Sequence, residues 1–97
     1  MAYAYVQDVA EEWENYERLA VALGDDVPDG LIIHVAGPMD SGFRIIDVWE
    51  SQEAWKRFRN EQLRPAIRRV AGDASVQRPI FRDLQVMHVI RREDNAG

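Results

Sequence analysis

Cysteine is absent from the 97-residue sequence, and histidine occurs only at His34 and His88. The first absence removes disulfides, thiolate metal sites and a cysteine nucleophile. Two imidazoles alone make a poor zinc site, which needs a third ligand at tetrahedral geometry, so no bound metal is expected. No apolar run approaches the roughly 18 residues of a membrane span. The N-terminal stretch MAYAYVQDVAEEW lacks a basic segment leading into an apolar core, so no signal peptide is expected and the expected location is cytoplasmic. No phosphate-binding glycine pattern occurs. Ser41, Ser51 and Ser75 fall in a turn, a helix cap and a loop, so none sits in a nucleophile elbow.

What is present reads as an ordinary globular chain, 46% hydrophobic and 30% charged. Its length suits a single domain over 1–97 with one core. The net charge of −5 disfavours nucleic acid and anionic membrane as partners. That charge is divided unevenly: residues 1–50 carry eleven acids against Arg18 and Arg44, and residues 51–97 carry ten bases against six acids. Two helices of opposite charge lying side by side would account for the division.

The pattern predicts β-α-β-β-α-β. Tyr3–Gln7 alternates as a strand, and Asp8 with Glu11 forms a capping-box-like start to a helix striped by Trp13, Tyr16, Ala20 and Leu23. Gly24 stops that helix. Leu31–Gly37 and Phe43–Glu50 read as strands joined by the short PMDSG connection. Ser51 caps a second helix whose buried side is Ala54, Trp55, Phe58 and Leu63; it kinks or restarts at Pro65 and ends at Gly72. The loop GDASVQRP leads to a last strand over Asp83–Arg91, followed by a frayed tail.

This order is ferredoxin-like and α+β: an antiparallel four-stranded sheet, strands 1 and 3 central, with two helices on one face. The other face is then uncovered. Tyr3 or Tyr5, Ile32, Ile45 and Trp49 are expected there, an apolar patch that calls for a homodimer formed through the sheet face.

The segment HVAGPMDSGFRIIDVWESQEAWKRF, followed by LRPA and a late histidine in VMHVI, resembles the dimeric α/β-barrel superfamily. Within it, the chain is most similar to small antibiotic-biosynthesis-monooxygenase-like proteins, many of unknown activity. The resemblance implies two sheets closing one barrel across a dimer, with a pocket between sheet and helices in each subunit. It also implies a cofactor-independent, monooxygenase-like enzyme acting on a small aromatic or polyketide-like molecule. Relatives of that kind pair a strand-1 asparagine with a strand-3 tryptophan. Trp49 matches the tryptophan, but no asparagine precedes Asn15. Haem-degrading relatives carry a histidine on the second helix, where this chain offers Phe58, so haem is not expected and the expected cofactor set is none.

Four or five residues carry the chemistry. His34 and Asp47 each interrupt an apolar strand, and both are expected on the sheet face away from the helices. A buried carboxylate needs a cationic or donor partner. His34 supplies one if the hairpin loop has four residues rather than three with a glycine bulge, and an arginine of the partner subunit is the alternative. His34 and Asp47 are the candidate catalytic pair: base and orienting carboxylate, or else a structural ion pair. Tyr5 and Trp49, with His88 reaching across the dimer, are the candidate ligand-binding residues for a small hydrophobic or aromatic ligand. The remaining alternative is a non-catalytic, ligand-binding or structural homodimer.

Overall fold

The computed structural model describes residues 1–72 and 78–92. Its elements are β1 (Tyr3–Val9), α1 (Trp13–Leu23), β2 (Leu31–Met39), β3 (Gly42–Trp49), α2 (Gln52–Phe58), a π-helical turn (Arg59–Leu63), α3 (Arg64–Ala71) and β4 (Ile80–Gln85). All strand pairs are antiparallel, in the order β2-β3-β1-β4. This is the ferredoxin-like α+β arrangement, with β1 and β3 central.

Several boundaries differ from the sequence reading, most of all at α1 and β4. Asp8 does not start α1. It stays in β1 opposite Arg44, whose Nε and Nη2 donate to its two carboxylate oxygens at 2.6 and 2.9 Å. That fork fixes the carboxylate on the strand and holds its pKa below the usual range. α1 begins instead after Glu12, whose side chain makes no cap bond. The last strand is also shorter than Asp83–Arg91. Ladder pairing with β1 runs from Ile80, opposite Asp8, to Gln85, opposite Tyr3. Most of the preceding loop, residues 73–77, and the tail, 93–97, lie outside the described residues.

The second helix does restart at Pro65. A proline lacks the N–H that an α-helix would aim at the carbonyl four residues back, and its ring crowds that carbonyl. Here the preceding turn widens to a π-helix, in which the Arg64 N–H reaches Arg59 O. α3 continues with Pro65 in its first turn and stops at Gly72. At the other end, Ser51 Oγ accepts the Ala54 N–H at 3.1 Å, capping α2. The helix charges are neighbours as expected: α3 packs along α1, and Arg69 donates to the Ala22 carbonyl at the end of α1.

The two sheet faces are the reverse of those expected. Tyr3, Tyr5, Phe43, Asp47 and Trp49 are buried beneath the helices, where Trp49 meets Trp55 and Phe58 with ring centroids 5.8 and 5.3 Å apart. The open face carries aliphatic residues instead, with Ile33, Val35, Ile46 and Leu84 all exposed. Burying an aromatic ring removes more apolar surface than burying a branched aliphatic chain, so the aromatic set takes the helix side. Ile32 has no partner in the ladder, because β2 bulges between Leu31 and Ile33. The extra residue lets Leu31 and His34, three apart, face the same side.

Candidate functional site

Register brings the two polar interruptions together. The hairpin turns on Asp40 and Ser41, with Met39 opposite Gly42. An even loop of this kind sets His34 directly across from Asp47. His34 Nδ1 donates to Asp47 Oδ1 at 2.5 Å. The pair lies on the helix side of the sheet, not on the open side, so both residues look into the interior of the chain.

Asp47 is buried and fully partnered. Its Oδ2 accepts the Tyr5 hydroxyl at 2.5 Å and the Trp49 indole N–H at 3.3 Å. No buried side-chain polar atom among the described residues lacks a hydrogen bond. Three donors around one carboxylate compensate its loss of water. Among the described residues no arginine hydrogen-bonds it; Arg44, the arginine of β3, falls on the other sheet face, where it meets Asp8. Burial, with the negative charge of Asp47 beside it, pushes the Tyr5 hydroxyl far above the ordinary phenol range. Tyr5 is therefore a fixed donor.

His34 is about one-third exposed at its side chain, against 6% for Asp47. The Asp47 hydrogen bond raises its pKa, and partial burial opposes that rise. Its second nitrogen, Nε2, lies 2.6 Å from the Tyr16 hydroxyl on α1. With Nδ1 donating to the carboxylate, a neutral imidazole presents its Nε2 lone pair to Tyr16. The result is a continuous hydrogen-bond chain, Tyr16–His34–Asp47–Tyr5.

This chain opens onto a cavity of about 670 Å³ between the sheet and the helices. Phe43, Trp49, Trp55 and Phe58 give the wall its aromatic character, and Tyr5, Tyr16, His34 and Asp47 place polar groups on it. Pockets of this size and lining take small, mostly apolar molecules whose few polar atoms fix their orientation. No group of three or more histidine, aspartate or glutamate side chains among the described residues is arranged to hold a metal.

Of the five candidates, Tyr5, His34, Asp47 and Trp49 converge on one site. Within the chain His88 is not brought to them. It falls beyond the end of β4, exposed, and is not part of the cavity wall. Tyr16 was missed, because its spacing from Trp13 and Ala20 made it one member of an apolar stripe. The signal was its hydroxyl: a phenol on the buried side of a helix needs a polar partner.

No protein-family model matches the chain, and no curated protein sequence matches it. Solved structures do match. One, from Chloroflexus aurantiacus, carries the provisional description antibiotic biosynthesis monooxygenase; it superposes with a TM-score of 0.68 at 15% identity, covering 94% of this chain and 98% of that one. The chain has the fold of the antibiotic-biosynthesis-monooxygenase-like structures. A protein of unknown function from Nitrosomonas europaea shares this monooxygenase-like fold (TM-score 0.67, 18% identity, 94% and 93% covered). So does a mutant of a cofactor-independent oxygenase from Streptomyces nogalater (0.58, 12%, 94% and 96%). At these identities the likeness concerns the monooxygenase-like fold alone.

Proposed function

We propose that the chain is a cofactor-independent, monooxygenase-like enzyme that binds a small planar aromatic molecule in its cavity and removes a proton from it. The observation that carries this reading is the His34–Asp47 pair, hydrogen-bonded at 2.5 Å and opening onto an aromatic-lined cavity of about 670 Å³. Asp47 fixes the imidazole tautomer and stabilises the imidazolium, and His34 is the base. The ring-lined wall favours a flat apolar body. Deprotonation is the natural first step of such chemistry, because an electron-rich phenolate or enolate can itself supply electrons to dioxygen. The cofactor-independent oxygenase with the same fold supports the choice of reaction class.

The working unit proposed is a homodimer joined through the open sheet face. A continuous aliphatic face, with Ile33 50%, Val35 49% and Leu84 57% exposed, is unusual for a monomer of this size.

A second reading, a non-catalytic ligand-binding dimer, is favoured by one fact: every hydrogen bond of the His34–Asp47 pair is already satisfied within the chain. Oxygen uptake separates the two. With a panel of hydroxylated naphthalenes, the enzyme should consume oxygen above the spontaneous rate. His34→Ala and Asp47→Asn should each lose most of that excess, about 100-fold if His34 is the general base. Binding without any excess uptake would leave the second reading.

A further inference from the structure

The Tyr16 hydroxyl occupies the one hydrogen-bonding position of the imidazole that Asp47 leaves open. It is 2.6 Å from His34 Nε2, and the two rings lie nearly parallel, 13° apart with centroids separated by 6.1 Å. The phenol ring is held on its other sides. Trp13 stacks on it at 4.6 Å, and Phe43 packs at 5.6 Å. Tyr16 and His34 both line the cavity. With the Nε2 lone pair engaged by the Tyr16 hydroxyl, the Tyr16 oxygen is the polar atom of this pair with acceptor capacity left for a molecule in the cavity.

We infer that a ligand bearing an acidic hydroxyl on a planar ring gives its proton to His34 through the Tyr16 hydroxyl, without touching the imidazole. The inference rests on the cavity reading above and adds to it the residue that meets the ligand and the ligand's ionising group. In the step, the ligand O–H bond breaks and its proton joins the Tyr16 oxygen. The Tyr16 proton moves along its existing hydrogen bond, and an Nε2–H bond forms. A neutral ligand and a neutral imidazole become a phenolate and an imidazolium, with no change in oxidation state. The phenolate then accepts a hydrogen bond from Tyr16, while the imidazolium lies between Tyr16 and Asp47.

The two transfers must be coupled. Burial and the charge of Asp47 raise the pKa of Tyr16, so a free tyrosinate is disfavoured as an intermediate. The groups facing His34 are Tyr16 from α1 and Asp47 from β3, with Tyr5 of β1 behind the carboxylate. Glu11, Arg18, Asp25 and Asp26 border the same cavity. Among all of these, Asp47 is the group in direct contact that favours the imidazolium. A ligand that uses this relay must be flat enough for the aromatic wall and acidic enough to ionise against histidine.

The test uses naphthols of graded acidity, whose bound phenolate is distinguished from bound phenol by its red-shifted absorbance. Wild type should raise the phenolate-to-phenol ratio of the bound naphthol above that of the free naphthol at the same pH. Tyr16→Phe keeps the ring and its stacking but removes the relay, and should lower the bound ratio at least about tenfold, one pKa unit. In parallel, NMR of wild-type His34 should show the imidazole becoming protonated as naphthol binds. This readout does not depend on the variant folding. Naphthol bound to Tyr16→Phe with the wild-type ratio would overturn the relay and leave the cavity reading intact. A His34 that stays neutral on binding would overturn the relay as well. Wild type that binds no naphthol would remove both.

Discussion

Asp47 shows how a chain of this size keeps a carboxylate beneath its helices. Tyr5, Trp49 and His34 each direct a donor at it, and all three lie on β1, β2 or β3. The need for a partner was legible in the sequence, because an uncompensated carboxylate in an apolar strand is costly. The choice of His34 over an arginine was not legible. It depended on the length of a turn. Asp47→Asn should lower the pKa of His34, since the imidazolium loses the charge that its hydrogen bond leans on; NMR titration of the imidazole in both proteins measures this. An unchanged titration would mean that the raised pKa has another source. The same coupling has a sign in stability. A histidine whose folded pKa is raised contributes fully below its unfolded value, about 6.5, and loses that contribution as pH rises through the folded value. The stability advantage of wild type over Asp47→Asn should therefore narrow as the solution becomes more alkaline.

At the scale of elements, β2 and β3 carry the information that places the site. The strands, their order and the Ser51 cap could be read from alternation and spacing. The face assignment could not, because alternation states which residues share a side without stating which side is covered. The continuous aliphatic set looked like the core and is the open face. The bulge at Ile32 is equally silent in sequence, since an extra aliphatic residue in an aliphatic run changes no pattern. The hairpin itself depends on Gly42. Its φ is 102°, and a side-chain carbon added there would lie 2.1 Å from the Val9 carbonyl oxygen. Gly42→Ala should thus cost about 2 kcal/mol in urea unfolding, through positive φ and a displaced β1 end together. A loss near zero would mean that the β1–β3 contact adjusts freely.

For the whole molecule, the open sheet face is what motivates the proposed dimer. Light scattering at micromolar concentration should give about twice the 11.2 kDa chain mass. Ile46→Asp, a charge placed in the centre of that face, should shift the protein to a monomer with its far-UV spectrum retained. Wild type that stays monomeric and well behaved would remove the dimer. An uncovered apolar face was legible in the sequence, although the residues assigned to that face were the wrong alternate set. α1 has a different relation to the interior. None of its residues is fully buried, because much of its inner side borders the cavity, with Phe43 and His34 meeting Trp13 and Tyr16 from the sheet. A helix that borders a cavity makes fewer contacts than one packed on a filled core, so it opens more readily. Filling the cavity supplies the missing contacts, and Tyr16 ties them to the acid–base pair. Amide exchange along Trp13–Leu23 is therefore a direct gauge of occupancy, slow when the site is full and fast when it is empty.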